Sequence, residues 1–324
     1  MINLSIIIPF KNSEKSIIKT LKSITMQNVN SDLYEVLLIN DFSNDKSMHT
    51  IKKYINNLKN FKLYKSKKNI VGPGHARNVG ISYSSGRYIL FLDSDDCLKK
   101  GCLNKIINKT NIIKCDVYAF GFNIVDTLSN MKRKKRHDLN LMRLNKIEII
   151  KKYFESSIIP QVISNLFLRE FLIKNKIDFK KGYFEDVLFF LKSIYFSKSI
   201  KVNSAIFYIK YNVSNSIVNT ISKEHILYHF KAYTDSYNFI IQRKITKVMK
   251  NKLNYFYIKG IIGLTAVYIK KVVGSNVITY KKKRFLLNIY KLYSKILLAS
   301  KINYVYKTDK DKFVKNFFKI TNEK

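Results

Sequence analysis

The chain has 324 residues, 46% of them hydrophobic, so it can form one large domain or two small ones with a sizeable buried core. Its formal net charge of +38 predicts an anionic partner, such as nucleic acid, an anionic membrane or a phosphorylated substrate. Lys, Asn and Ile dominate the composition and Trp is absent, so part of this charge reflects a compositional bias rather than a binding surface.

Cysteine spacing and hydropathy exclude several protein classes. Cys97, Cys102 and Cys115 match neither a disulfide framework nor a zinc site, and we expect them to be small buried side chains. A strand-like run begins at Leu4 with no basic segment before it, and no apolar stretch reaches the ~18 residues that span a bilayer. These features predict a cytoplasmic protein that is not integral to a membrane.

Four apolar runs alternate with segments of helical periodicity in the first part of the chain. The strand-like runs are 4–8, 34–39, 61–64 and 87–92, and the helical segments are 13–27, 46–58 and one that begins after 72. Pro9 is expected to end the first strand, and Ser13 is expected to cap the first helix. The alternation predicts an α/β fold with a mostly parallel sheet, right-handed crossovers and flanking helices.

Polar residues follow three of these strands where each strand ends. They are Pro9 to Asn12, Asp41, and Asp93 to Asp96. Ligands of open α/β sheets bind outside the carboxyl ends of the strands, so three such loops on one edge predict a nucleotide site. The glycines lack the GxGxxG order after the first strand, which argues against a dinucleotide site.

The loop Asp93-Ser-Asp95-Asp96 concentrates three carboxylates in a chain with only 22 acidic residues. Clustered carboxylates cost stability unless a cation or hydrogen-bond donors neutralise them. A divalent metal held by one or two carboxylates and by nucleotide phosphates is one explanation. The alternative is an exposed Asp-rich turn that caps a helix at about 97–109.

The second part of the chain carries two further charged features. The basic run 132–136 has no apolar period and is expected to be a solvated loop, with contact to acceptor or membrane phosphates as the alternative. Glu185 and Asp186 open an amphipathic helix, where they either stabilise the helix N-terminus or take part in chemistry. Strands are expected at 116–124 and 200–209.

From about residue 220 the sequence becomes Lys-rich and Tyr-rich, with apolar residues at helical spacing. We expect a basic helical C-terminal extension over 220–324. Such helices suit the interface of an anionic membrane, and an ordinary helical subdomain with solvated lysines is the equally favoured alternative.

Four motifs in order resemble those of the family 2 glycosyltransferases, which are inverting nucleotide-sugar enzymes with the GT-A Rossmann-like fold. The resemblance covers most of residues 3–217. The motifs are Ser-Ile-Ile-Ile-Pro9-Phe10-Lys-Asn12, Leu-Ile-Asn-Asp41, Ala-Arg77-Asn-x-Gly followed by Ser-Gly-Arg-Tyr-Ile-Leu-Phe-Leu-Asp93-Ser-Asp95-Asp96, and Phe-Glu185-Asp186-Val. The Gln-x-x-Arg-Trp pattern of processive synthases is excluded because the chain has no Trp.

The resemblance implies a role for each of these residues. It implies a nucleotide pocket and donor contacts formed by Pro9, Phe10, Asn12, Asp41, Arg77 and Asp93. Asp41 would accept from a ring N–H of a uracil-like base, and Asp95 with Asp96 would hold Mn²⁺ or Mg²⁺. Asp186 would be the catalytic base, with Glu185 beside it.

The resemblance implies a GT-A domain at 1–219, with a nucleotide-binding half at 1–100 and an acceptor-binding half at 101–219. The expected reaction is single addition from a nucleotide sugar, with UDP-sugar as the donor, to a glycan or lipid-linked acceptor in surface-polysaccharide assembly. The C-terminal basic helices would place the enzyme peripherally at the inner face of the membrane. The alternative is a basic nucleic-acid or anionic-surface binder without transferase activity, although the chain contains no recognised nucleic-acid module.

Overall fold

The computed structural model describes residues 2–66, 70–127, 129, 131–135, 144–154, 161–212, 223–243 and 250. The chain divides into two compact units, Met1–Thr220 and Ile221–Lys324. The division of the first unit into nucleotide-binding and acceptor-binding halves stays a prediction.

Strands and helices alternate in the first part of the chain, as predicted. The strands are β1 (Leu4–Phe10), β2 (Tyr34–Asn40), β3 (Phe61–Lys65) and β4 (Tyr88–Phe91). The helices between them are α1 (Ile17–Thr25), α2 (Ser47–Ile55) and α3 (Gly74–Tyr83). All three neighbouring pairs in the order β3-β2-β1-β4 are parallel, because each crossover helix returns the chain to the same end of the sheet.

Two predicted boundaries near the first strand are wrong. β1 continues through Pro9 to Phe10, in register with Ile39 and Asn40 of β2. Pairing with β4 ends at Ile7, so Pro9 lies where β1 has become an edge, and a residue without an N–H is tolerated there. Ser13 does not cap α1, because an intervening turn delays the helix, which begins at Ile17.

The second part of the first unit extends the same sheet. Its elements are β5 (Cys97–Leu98), α4 (Cys102–Ile112), β6 (Val117–Asp126), β7 (Lys132–Lys135), α5 (Lys146–Phe154), β8 (Asn165–Leu168), α6 (Arg169–Lys174), α7 (Glu185–Phe196) and β9 (Ile200–Asn212). The sheet continues β4-β8-β6-β9-β5, and β7 pairs with β6. β6 and β9 are parallel, whereas β5, β7 and β8 are antiparallel to their neighbours. The mostly parallel arrangement therefore holds for the first four strands, and the rest of the α/β sheet is mixed.

Two expectations for this part need correction. The helix expected at about 97–109 begins only at Cys102, because residues 97 and 98 pair with β9. The basic run is not a loop over Lys132–Lys135, since these residues form β7. All four side chains of β7 are exposed, and an edge strand tolerates Lys without an apolar period. Arg136 lies outside the described residues.

A cluster of phenylalanine rings fixes the helices against the sheet. Phe91 of β4 packs edge-on against Phe179 and Phe189, with ring centroids 5.2 and 5.8 Å away, and Phe179 stacks on Phe189 at 3.9 Å. This packing places the start of α7 next to the carboxyl end of β4. The three cysteines are buried and free, which confirms their predicted role as core side chains.

In the second unit, helix α8 spans Lys223–Ile241 and confirms that the C-terminal region begins as a helix. Residues 251–324 lie outside the described part of the chain, so the predicted basic extension stays a prediction there. Among the described residues, none of the helices has the length and hydropathy needed to cross a membrane.

Two glycines allow the loop before α3 to contact the loop before α7. Gly72 has φ +85°, and the N–H of Gly182 donates to the carbonyl of Val71 at 2.8 Å. A Cβ at Gly72 would lie 2.0 Å from the carbonyl oxygen of Gly182. The two backbones can therefore approach only if residue 72 has no side chain.

We predict that Gly72→Ala destabilises the fold strongly. The change adds about 1–3 kcal/mol of backbone strain and a further ~1–3 kcal/mol of steric overlap. Gly101→Ala is the matched control, since Gly101 also has a positive φ of +71° but has open space around its Cβ position. The measurement is the melting temperature of both variants. For a domain of this size, each kcal/mol of lost stability lowers the melting temperature by about 2–4 °C. Equal losses in the two variants would show that the close approach at Gly72 is unimportant.

Candidate active site

The loops after β1 and β2 are tied together by backbone and side-chain hydrogen bonds. The backbone N–H of Asp41 donates to the carbonyl of Phe10 at 2.8 Å. Asn12, which has φ 51°, donates its N–H to Ser43 Oγ at 3.1 Å and accepts from the N–H of Asn44 at 2.9 Å. The ends of these two parallel strands therefore form one continuous rim. Pro9 and Phe10 are buried in β1 behind it.

Asp41 combines burial with an unsatisfied acceptor. Its side chain is buried, and Oδ1 has no hydrogen-bond partner among the described residues. Burial raises the pKa of this carboxyl group, and the charges of Lys11 and His75 offset that rise only in part. A buried acceptor without a donor costs about 1–3 kcal/mol, so this oxygen is suited to a ligand N–H.

The three carboxylates of the Asp93–Asp96 loop have different environments. Asp96 is only 1% exposed, its Oδ2 accepts from the Tyr208 hydroxyl at 2.6 Å, and its Oδ1 accepts from the N–H of Tyr211 at 2.8 Å. The Tyr208 hydroxyl also accepts from the N–H of Asp93 at 3.2 Å, which fixes the loop to β9. Both carboxylate oxygens of Asp96 thus accept hydrogen bonds from the protein. This geometry does not favour Asp96 as a metal ligand, and that role stays a prediction.

Asp95 is the more accessible of the two predicted metal ligands. Its side chain is half-buried, and no side-chain hydrogen bond from another described residue reaches its carboxylate. Burial, together with the charge of Asp93, raises its pKa to about 6. No group of three potential metal-ligating side chains occurs within the described ranges. The described side chains alone therefore do not complete a cation site at Asp95, and substrate oxygens or water would supply the remaining ligands of a bound cation.

Arg77 of α3 links the Asp93–Asp96 loop to helix α7. Its Nη2 donates to Asp93 Oδ1 at 2.7 Å, and its Nη1 donates to Glu185 Oε1 in a short hydrogen bond. Burial lowers the pKa of the guanidinium, but the charges of Asp93 and Glu185 outweigh this effect, and the pKa is raised overall. The pKa of Glu185 is raised by its own burial despite the contact with Arg77. Arg77 and Glu185 therefore form a buried ion pair that fixes the beginning of α7.

A second contact from α3 supports the same loop. Asn78 forms two hydrogen bonds with the backbone of Phe179, from Nδ2 to the carbonyl at 2.9 Å and from the N–H to Oδ1 at 2.9 Å. Phe184, the residue before α7, has φ 60°, so the chain turns sharply there. Arg77, Asn78 and Gly72 together hold the segment that presents the first turn of α7.

Asp186 lies in that first turn and is half-buried. Burial, followed by the charge of Glu185, raises its pKa to about 7. Lys210 of β9 is close enough to Asp95, Asp96 and Asp186 to lower the pKa of each in part. The site thus contains an acid that changes protonation near neutral pH and a cation placed among the carboxylates.

The structure brings most of the predicted site residues to one edge of the sheet, while their individual roles stay predictions. Three residues that contact the predicted site residues or support their loops were not predicted as site residues: Asn78, Tyr208 and Lys210. Asn78 adjoins Arg77 in the same motif, which is a usable signal. Tyr208 lies in the predicted strand 200–209 and Lys210 directly follows it, and no motif there indicated their contacts with the carboxylates.

Comparison with known proteins identifies the family. The model of glycosyl transferase family 2 matches residues 5–175. The chain belongs to this family. The structure is similar to the crystal structure of S. aureus TarS 1–349 in complex with UDP-GlcNAc, with a TM-score of 0.69, 19% identity, and coverage of 91% of this chain and 81% of that chain. This likeness confirms the GT-A glycosyltransferase fold.

Two curated relatives show the extent of the sequence similarity. Poly(ribitol-phosphate) beta-N-acetylglucosaminyltransferase TarS of Staphylococcus aureus (strain Mu50 / ATCC 700699) is 38% identical over 103 residues, which are 32% of this chain and 18% of that protein. Poly(ribitol-phosphate) beta-N-acetylglucosaminyltransferase TarP of Staphylococcus aureus (strain N315) is 26% identical over 253 residues, which are 76% of this chain and 75% of that protein. The match to TarS therefore spans less than a fifth of its length.

We predict that Arg77→Gln destabilises this family 2 protein by about 3–5 kcal/mol, because it leaves Glu185 buried without its partner. The loss should shrink as pH falls. Without Arg77 the folded-state pKa of Glu185 rises further above its unfolded value, so protonation at low pH removes the cost of the buried charge. The measurement is denaturant unfolding across a pH series.

The control for this experiment is Arg87→Gln, since Arg87 is exposed and forms no ion pair with the described residues; loss of its hydrogen bond to the carbonyl of Thr110 should cost only about 1 kcal/mol. A loss in Arg77→Gln that is small, or that does not depend on pH, would contradict the assignment of a buried ion pair.

Proposed function

We propose that the protein is an inverting glycosyltransferase that moves a hexosyl or N-acetylhexosaminyl group from a UDP-sugar to a hydroxyl of a glycan or lipid-linked acceptor in surface-polysaccharide assembly. The observation that carries this proposal is the double contact of Arg77. One guanidinium bonds Asp93 in the predicted donor loop and Glu185 beside the predicted base. Donor site and base are thereby held in one rigid unit, as a transfer between two bound substrates requires.

Asp41 supports a nucleotide with a ring N–H at this rim. Its buried Oδ1 lacks a donor, and an N–H of a uracil-like base would supply one. Asn12 and the ends of β1 and β2 would enclose the base and ribose. A UDP-sugar donor agrees with the similar TarS structure, which is a complex with UDP-GlcNAc.

Asp95 would hold a divalent cation together with the donor diphosphate. Mg²⁺ is commonly bound by one or two carboxylates plus substrate phosphates, so a single available carboxylate fits this mode. The bound cation would supply Lewis-acid stabilisation of the leaving diphosphate. Lys210, near Asp95 and Asp186, would add a second positive charge on the same side.

Asp186 would act as the general base. Its carboxylate would take the proton from the acceptor hydroxyl while that oxygen forms a bond to the anomeric carbon. The bond from the anomeric carbon to the diphosphate would break at the same time, with the electron pair leaving on the diphosphate. A pKa of about 7 is suitable, because a base works best when its pKa lies near the operating pH.

The acceptor is proposed from the relatives. TarS and TarP are named as transferases that act on poly(ribitol-phosphate), an anionic polymer. We propose a surface glycan of this general class for the present chain. Peripheral membrane attachment through the C-terminal basic region stays a prediction, since most of that region lies outside the described residues.

We predict that Asp186→Asn lowers the rate of sugar transfer by about 10²–10⁴ because the amide cannot accept the hydroxyl proton. In the unmodified protein, kcat/KM should rise with pH through about 7 and level off above, since only the ionised Asp186 is a base. The measurements are transfer rates across a pH series and donor binding by calorimetry, which should be unchanged in the variant.

Asp178→Asn is the matched control. It makes the same chemical change eight residues earlier, at a half-exposed carboxylate that pairs with Lys180 and Lys192, and it should leave transfer intact. Wild-type transfer by Asp186→Asn would overturn the assignment of the base.

We predict that UDP with Mn²⁺ stabilises the protein by roughly 2.7 kcal/mol at 100 times its Kd. Asp95→Ala should remove the Mn²⁺-dependent part of this stabilisation and leave the effect of UDP alone. Asp41→Ala should weaken UDP binding with and without Mn²⁺, because it removes the acceptor for the base. The measurement is thermal unfolding with a panel of nucleoside diphosphates.

The two variants serve as controls for each other. Equal responses to Mn²⁺ in both would contradict the separate roles of Asp41 and Asp95. A preference of the unmodified protein for another base would retain the enzyme class and change the donor, whereas stabilisation by no nucleotide would contradict the proposed function.

A further inference from the structure

Strand β7 is an exposed basic edge that the proposed reaction does not use. Its four residues, Lys132, Arg133, Lys134 and Lys135, are all exposed and pair antiparallel with β6. None of them forms an ion pair with a residue in the described ranges. Within the described residues, no ion pair has to break before an anionic ligand binds at this edge.

Sheet register shows which side of β7 faces the active site. Arg133 pairs with Ile124 of β6, and Ile124 pairs with Lys210 of β9. Paired residues in neighbouring strands lie on the same face of a sheet. Arg133 therefore lies on the face that carries Lys210, the cation next to Asp95 and Asp186.

The next set of paired residues across β7, β6 and β9 also places a basic residue of β7 on the active-site face. Lys135 pairs with Phe122, and Phe122 pairs with Tyr208, whose hydroxyl contacts Asp96. Because side chains alternate along a strand, Lys132 and Lys134 lie on the opposite face. The basic strand thus has one pair of cations on the active-site face and one pair away from it.

The distance between β7 and the site suits an extended ligand. Neighbouring strands are about 4.8 Å apart, so β7 lies roughly 10 Å from β9 across β6. Ile124 and Lys210 are half-buried, so the row from Lys210 to Arg133 is partly accessible, whereas Phe122 is buried. A polymer whose reacting hydroxyl is at Asp186 can follow this row to β7 within a few repeating units.

We propose that Arg133 and Lys135 bind phosphodiester groups of an anionic polymer acceptor, on repeating units next to the one that receives the sugar. This inference rests on the proposed glycosyltransferase function and adds the substrate chemistry that the acceptor side recognises. A guanidinium forms paired charge-assisted hydrogen bonds to phosphate, and an ammonium adds a point charge. A polymer is favoured over a lipid surface because Arg133 and Lys135 share a face with Lys210 and Tyr208. These two cations therefore line the route that a polymer would follow from the active site, whereas Lys132 and Lys134 do not.

The test compares two double variants that remove the same charge from the same strand. Arg133→Gln with Lys135→Gln alters the active-site face, and Lys132→Gln with Lys134→Gln alters the other face. The probe is a fluorescently labelled ribitol-phosphate oligomer, and its binding to the full chain is measured by anisotropy at low and at physiological salt. The first variant should bind about tenfold more weakly, as expected for the loss of two exposed ion pairs, and the second should bind as the unmodified protein does.

Kinetics with the same oligomer give a second readout. The active-site-face variant should raise the KM for the oligomer about tenfold without changing kcat or the KM for the UDP-sugar. Equal weakening in both variants would overturn the proposal, because it would indicate an unspecific charge effect. Weakened binding to phosphatidylglycerol vesicles, with unchanged oligomer binding, would also overturn it and indicate a membrane contact instead.

Failure of this inference can be told apart from failure of the proposed function. If the two double variants bind and use the oligomer like the unmodified protein, while Asp186→Asn still abolishes transfer, the enzyme assignment stands and only the phosphate contacts are wrong. If the unmodified protein transfers no sugar and binds no nucleotide, the proposed function itself is contradicted.

Discussion

The candidate site depends on one buried cation. Arg77 is almost fully buried, so its charge requires carboxylate partners, and it has two of them in Asp93 and Glu185. Glu185 is 108 residues from Arg77 in sequence, so this ion pair fixes a long-range relation between the Asp93–Asp96 loop and α7. A buried pair of this kind adds little net stability, but removing one partner is costly. The geometry of the proposed base is thereby coupled to the integrity of the fold.

The same arrangement explains the protonation of Asp186. The charge of Arg77 lies between Asp93 and Glu185, so it only partly offsets the burial of Asp186 and the repulsion from Glu185. The pKa is therefore raised to about 7 instead of being held low. Glu185 is buried and its carboxylate is engaged by Arg77, so it is poorly placed to accept a proton from a substrate. Asp186 lies outside the ion pair of Arg77 and Glu185, so its carboxylate stays available to abstract a proton.

The sequence was sufficient to predict the first four strands and the edge where they converge. Parallel strands that alternate with helices end at the same edge, so the placement of Asp41 and of Asp93 to Asp96 followed from periodicity alone. The environment of Asp96 could not be predicted in this way. It depends on Tyr208 and Tyr211, which are more than 110 residues away in a strand whose pattern indicates only packing. Likewise β7 has no apolar period, because neither of its faces is buried.

The site as a whole contains more negative than positive charge. Five carboxylates, those of Asp93, Asp95, Asp96, Glu185 and Asp186, surround the cations Arg77 and Lys210. Such an excess in a partly buried region raises the pKa of several of these acids, and it is relieved when a further cation arrives. A divalent cation next to Asp95 would relieve this excess, whereas the donor diphosphate alone would add to it, so the site is suited to bind the two together.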